Sequence, residues 1–496
     1  MITRTRKSLA YILVLFGLVL SACSSGAQAG SKADTVVPPQ PTASPAPASP
    51  TAAPQASPAA FGDGVLLYEW REAPDVGLLH LIDPETGLDI PGYAPIPLGR
   101  SYAYAPSPDR KTLALIVYPS QETDLGGRLS LIDLQSWQVV TTTVEVNQWN
   151  TQMAISPDNQ KLAIATSPGG VGDGQGRLVL VDIAQRAAVG EVKLDFIPTH
   201  IRFASGGDAL MVYGPATWEM SFQPVSPAQI ALLRIPSLEI SWSTALAGVL
   251  DGFVPNQDKQ AASAGDMPGP GDGRWMEPAV VFAPHKDQLY IVHAGEDRLT
   301  TVDFARREVQ SVDIRPPVSL LDRLMALTAG PAYAKVLDGN FMDAVISVDG
   351  QTLYVLGEDM RSTENAKTGQ WETSQTSLGL KVVRTSDGAE LGQYDIQASE
   401  VVISTDGNAL YLRGWNTANS NPSAPFTLVW DVARQETLAR LEGHHLEPAW
   451  RLNREPVLLS SSLYRGQIIK ATLDPQTYAI LHEWPVPFYG DWLLVR

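Results

Sequence analysis

Seven histidines are the first place to look for chemistry in this chain: His80, His200, His285, His293, His444, His445 and His482. A metal site or a general base needs such side chains to converge with carboxylates. His444 and His445 are adjacent, and neighbours on a strand point to opposite faces, so they cannot share an ion. His293 is the best single candidate for a ligand or base, because Glu296 and Asp297 follow it closely. Asp173, Asp266, Asp272 and Glu277 fall in or beside glycine-rich stretches and could hold calcium, although none has the Asp-x-Asp-x-Asp-Gly spacing. No other cofactor is predicted. The chain has no nucleophile elbow, no Walker motif and no His-Glu-x-x-His. The Gly-x-Gly patterns within 167–176 join two strands instead of opening a helix, so they read as a loop.

Tryptophan is the other informative residue type. Trp149, Trp218, Trp275, Trp371 and Trp415 fall in or beside the longest predicted loops. Such a set could stack on sugar rings or grip a peptide. Each could equally pin down its own loop. Trp242, Trp430, Trp450 and Trp492 lie within apolar runs and read as core.

The elements that must position these residues form a repeat. Its clearest copy is Ile155-Ser156-Pro157-Asp158, followed by Leu162; others centre on Asp109, Asp349 and Asp406. Each is an apolar strand, a tight turn and a second apolar strand. The first leucines of the second strands are Leu66, Leu113, Leu162, Leu210, Leu289, Leu353, Leu410 and Leu458, at steps of 47, 49, 48, 79, 64, 57 and 48 residues. A unit of about 48 residues predicts an all-β fold, a propeller of four-stranded blades. Eight second strands predict eight blades, with seven as the alternative. The first repeat lacks its inner strand, and the apolar run 492–495 can supply it, closing the ring and hiding a sheet edge. Third strands end in Asp83, Asp133, Asp182, Asp303 and Asp431. That position predicts turn-forming hydrogen bonds to backbone, not catalysis.

Nearly all long connections fall on one face of such a ring. They are the second-to-third loops at 118–127, 167–176, 214–229, 357–377 and 414–425, and the blade connections at 246–277 and 315–340. The first of those connections reads as irregular. The second predicts a short helix from Ser319. Loops on one face of a rigid scaffold are where binding concentrates.

Residues 1–22 read as a signal peptide, with Arg4, Arg6 and Lys7 ahead of an apolar stretch at 9–20 that is too short to span a bilayer comfortably. The sequence Leu20-Ser21-Ala22-Cys23 resembles the lipobox of bacterial lipoproteins, which implies cleavage before Cys23 and its acylation. Cys23 is the only cysteine, so the chain can form no internal disulfide and no Cys-x-x-Cys metal site. Residues 23–61 form a Pro/Ala/Ser-rich linker with nothing to bury, predicted disordered, and 62–496 the propeller. The formal charge of −17 becomes about −20 without the signal segment, which argues against nucleic acid and against an anionic bilayer surface.

Leu428-Val429-Trp430-Asp431, followed by Gly443-His444, resembles a WD40 repeat, and the Ser-Pro-Asp turns resemble YVTN-type bacterial propellers. Only one copy carries both dipeptides. The resemblance implies the fold and leaves the function open. It is compatible with a lipid-anchored extracytoplasmic binding or scaffold module for an envelope protein, peptide or glycan. It is also compatible with an envelope assembly lipoprotein, a lactonase-like hydrolase with its site at the axial mouth, or a redox subunit like those of amine dehydrogenases.

Overall fold

The computed structural model describes residues 61–493 apart from 72–75, 119–125, 148–150, 167–174, 216–226, 256–272, 315–338, 365–370, 417–423, 465–466 and 487–488. The signal segment, Cys23, the linker, the helix predicted from Ser319, Trp149, Trp218, Asp173, Asp266 and Asp272 lie outside the described residues.

Eight sheets follow one another around a ring, each built on four strands in the up-and-down order of a propeller blade, one of them widened by extra strands. The second strands are Val65–Arg71, Thr112–Tyr118, Lys161–Thr166, Ala209–Gly214, Gln288–Val292, Thr352–Glu364, Ala409–Asn416 and Pro456–Tyr464, and each contains its repeat leucine. The first halves of these strands are mostly apolar because each blade is covered on both faces by its neighbours. Blades 2 and 3, for example, share a core of Ile116 and Leu131 with Met153, Ile164 and Val179. The fourth strands form the rim; Glu308–Asp313 of blade 5 is mostly exposed.

The ring closes as the sequence predicts. Tyr489–Leu493 becomes the inner strand of blade 1, pairing Leu493 with Leu66 and Trp492 with Leu67. The residues ahead of blade 1 are held by blade 8, where Leu452 and Asn453 donate backbone N–H groups to the Gly64 and Gly62 carbonyls at 3.0 and 2.8 Å. Both ends of the domain are therefore stitched to the same seam.

The repeat turns show why serine and aspartate recur. In blade 3 the Ser156 hydroxyl donates to Asp158 Oδ1 at 2.5 Å and accepts from the Lys161 N–H at 2.9 Å. Ser107, Ser347 and Ser404 repeat this geometry. The Ser156 hydroxyl holds the Asp158 carboxyl below the ordinary range, and Ser347 does the same for Asp349. Asp83, Asp133, Asp182, Asp303 and Asp431 accept backbone N–H groups two or three residues on, so they are turn residues.

Two stretches differ from their expected form. The connection 246–277 is not irregular throughout: Gly252–Pro255 and Gly273–Glu277 make a hairpin. Its second strand lies parallel to the inner strand of blade 6, Trp275 opposite Gly339, and widens that sheet. The stretch 357–377 is not a loop. The second strand of blade 6 continues to Glu364 and pairs with Trp371–Ser377, forming a two-stranded arm. Six residue steps from Glu358 to Glu364 make the arm roughly 20 Å long. Both additions are short strands whose partners are local to the arm or distant in sequence, so no repeat marks them.

Three consecutive blades also place half-buried carboxylates around the buried Arg413. Asp343, Glu400 and Glu447 occupy equivalent inner-strand positions, three residues before Ile346, Ile403 and Trp450. Arg413 stands cross-strand from Glu400 and donates to it. Asp343 reaches from blade 6 to accept the Val401 N–H of blade 7 at 2.8 Å. Burial opposes the charge on Arg413, but Glu400, Glu447 and Asp343 more than offset it and raise its pKa.

Candidate functional site

The long-connection end of the ring holds a cleft of about 310 Å³ between blades 5 and 6. Blade 5 contributes the turn from His293 to Asp297, which joins its second and third strands. Blade 6 contributes the start of its first strand, the point where its arm departs, and the start of its third strand. Strand alternation explains the lining. Asn340 and Met342 are two apart and share a face, and Gly357 lies cross-strand from Met342. Gly295 lies at φ 75°, and a Cβ there would come within 2.8 Å of Met276 Cε from the added hairpin. The left-handed φ, not the movable Met276 tip, is what favours glycine at this turn.

Polar groups converge on an otherwise apolar lining of Met342, Val355 and Leu378. Lys381 reaches from blade 6 to pair with Asp297 of blade 5. Glu296 pairs with Arg298 at 3.1 Å and stands 3.9 Å from His293 Nδ1. His293 Nε2 is 2.7 Å from the Thr300 hydroxyl, itself 2.7 Å from Ser311. Asn340 is only 1% exposed, yet neither polar atom of its carboxamide has a hydrogen-bond partner.

His293 therefore lines the cleft, but it is only 2% exposed and its Nε2 is committed to a core hydroxyl. Burial pushes its pKa down, with Arg298 adding to the effect and Glu296 and the Gly248 carbonyl opposing it. Among the described residues no three histidine, cysteine, aspartate or glutamate side chains converge as a metal site would need. Among the described residues, no loop tryptophan lines the cleft. Trp275 sits on the added hairpin and is 37% exposed. Trp371 is in the arm, opposite Glu364. Trp415 ends the second strand of blade 7 and meets His445 edge-on at 4.8 Å. Sequence reasoning missed Asn340 and Lys381. Their cleft partners lie tens of residues away, and neither belongs to a motif.

One arrangement in blade 8 has the members of a hydrolytic triad. His444 Nδ1 lies 2.9 Å from Ser460 Oγ, and its Nε2 lies 3.5 Å from Glu483. Ser460 is fully buried, with the carboxylate on the outer side, so no acyl group can reach the hydroxyl. Its role is structural. His445 faces the other way and donates its Nε2–H to the Gly414 carbonyl at 3.0 Å, as adjacent strand residues must.

These histidines predict an acid sensitivity. Burial depresses the pKa of His293, His444 and His445 below 6.5. Below that pH the unfolded chain takes up protons that the folded chain does not. Stability is therefore undiminished above 6.5 and falls as pH drops toward the depressed values, by at most about 1.4 kcal/mol per pH unit for each histidine. Urea unfolding at pH 7.5 and 5.5 should show a lower midpoint at 5.5. Equal midpoints would contradict the burial of these rings as neutral species.

No family model matches this chain, and no curated protein matches it. Solved structures do. Dihydro-heme d1 dehydrogenase NirN in complex with DHE is 13% identical, with a TM-score of 0.50, over 87% of this chain and 76% of that one. The β-propeller domain of Myceliophteria thermophila Cps50 (Swd1) is 13% identical, with a TM-score of 0.37, over 74% of this chain and 95% of that one. At such identities the likeness is one of fold alone. The chain is an eight-bladed β-propeller.

Proposed function

We propose that this chain is a lipid-anchored recognition module outside the cytoplasm of a bacterium. Cys23 holds it to a membrane, residues 24–61 give it reach, and the long-connection face binds an envelope protein, peptide or glycan. The observation that carries this reading is the cleft between blades 5 and 6. It sets an apolar wall of Met342, Val355, Leu356 and Leu378 beside the charged side chains of Glu296, Asp297 and Lys381, the mixed lining that small-ligand sites use.

Thermal unfolding of the detergent-solubilised full chain tests it against cell-wall fragments, glycans and calcium. A ligand of the folded state raises the midpoint by mass action. An upward shift with a glycan or wall fragment supports recognition at this face. A shift with calcium alone would replace it with a metal-dependent reading; no shift with any member of the panel would remove the glycan reading, and failure of cross-linking in the envelope to capture a protein or peptide partner would then overturn the proposal. The anchor has its own readout: Cys23→Ser should move the chain from the membrane to the soluble fraction.

A further inference from the structure

We infer that the rim strand of blade 5, Glu308–Asp313, is a docking edge that takes an extended, positively charged segment of another protein as a further strand. A regular, exposed sheet edge invites pairing with another chain. The other described fourth strands of this ring are built against that. Ile96–Leu98 of blade 1 is three residues long and contains Pro97. The fourth strands of blades 2, 3, 4, 6, 7 and 8 each pair with their third strand through a register shift. Such irregularities twist an edge away from a partner strand. Among the described fourth strands, only Glu308–Asp313 combines an unbroken ladder with full length, running from Glu308 opposite Asp303 to Asp313 opposite Arg298. It is mostly exposed, and its sequence has no proline and no lysine.

The phase of the ladder sets which groups the edge offers. The Ile314 N–H donates to the Asp297 carbonyl at 2.8 Å, while the Arg298 carbonyl turns the other way and accepts from the His293 N–H at 3.0 Å. Hydrogen-bonded and non-hydrogen-bonded pairs alternate in an antiparallel ladder. Glu308, Gln310 and Val312 therefore bond to the third strand, and Val309, Ser311 and Asp313 turn their peptide groups outward. No described residue outside the strand bonds to the backbone of Val309 or Ser311. Charge chooses the occupant. The strand carries Glu308 and Asp313 at its ends and no base. Arg298 stands 3.8 Å from Asp313 but 3.1 Å from Glu296, so it offsets Asp313 only in part. Two copies of this strand paired antiparallel along their full length would set Glu308 opposite Asp313 twice, and like charges directly opposite destabilise a sheet. The proline-rich stretch 24–60 lacks the run of N–H groups that strand pairing needs. A foreign extended segment with lysine or arginine opposite the two acids meets both the backbone and the charge.

Two proline variants of the detergent-solubilised full chain separate the edge from the ladder. Val309→Pro deletes an outward N–H and should leave the unfolding midpoint nearly unchanged. Gln310→Pro deletes a ladder bond and should lower it. The binding probe is the labelled peptide acetyl-Lys-Thr-Val-Thr-Val-Lys-amide, followed by fluorescence anisotropy. Its controls are the same peptide with glutamate for lysine, and the same peptide N-methylated at its four central residues. The expected result is saturable binding of the basic peptide, weakened by about tenfold or more in either control and on the Val309→Pro chain. No saturable binding, or binding that survives Val309→Pro, would overturn the inference. So would a Val309→Pro chain destabilised as much as Gln310→Pro, because the outward phase would then be wrong. Sedimentation of the chain alone covers the remaining occupant: a dimer that Val309→Pro dissociates would overturn the inference in favour of a second copy at this edge.

Discussion

Removing residues 489–496 should abolish cooperative unfolding. The strand Tyr489–Leu493 is the only inner strand blade 1 has, and it pairs along Leu66 to Trp70. Without it, blade 1 exposes an unpaired edge to the channel and the seam with blade 8 opens. Trp492 fills that seam. It is 1% exposed, stacks edge-on with Trp484 at 5.6 Å, and donates its indole N–H to the Ser460 carbonyl at 3.2 Å. Lys470, also buried, lies 5.6 Å over its ring and donates to Ser461. Trp492→Ala alone should cost about 3–5 kcal/mol, as large aromatic truncations in a core do. Calorimetry checks both. A truncated chain that melts in one transition at the full-length midpoint would sink the account of closure.

Arg413→Ala should cost about 3–5 kcal/mol, the range for stranding a buried charge. The side chains of Arg413 and Glu400 are 7% and 22% exposed, and Glu447 and Asp343 add negative charge around the same guanidinium. Removing the cation takes away the charge that the half-buried carboxylates of blades 6, 7 and 8 surround, while leaving them close together. The double replacement Arg413→Met with Glu400→Leu should cost markedly less, because it removes both charges and keeps the volume. Guanidinium unfolding measures the difference. A loss below about 1 kcal/mol for Arg413→Ala would place the cluster among weakly coupled surface pairs.

The blade count, the strand order and the closing strand were legible in the sequence because they depend on local patterns. Turn chemistry at Ser156 and Asp158 is decided within six residues. The continuous apolar run around Leu162 follows from a strand covered on both faces. Copies of one local pattern at a period near 48 residues leave few ways to bury all the second strands at once.

The candidate site depended on contacts between chain segments far apart. The hairpin Gly252–Pro255 with Gly273–Glu277 finds its sheet partner at Gly339–Phe341, across more than sixty residues. Lys381 meets Asp297 across 84 residues. Asn340 reads in the sequence as one polar residue between Gly339 and Phe341, and only folding removes every partner it could have had. His293 shows the converse. Its neighbours Glu296 and Asp297 drew attention to it, but the fold commits its Nε2 to Thr300 and gives Asp297 to Lys381. Sequence by itself determined the repeating scaffold, because strand periodicity and turn formation act over a few residues. Only the tertiary structure decided which polar groups are paired and which side chains line the cleft, because burial and pairing belong to blades brought together by the ring.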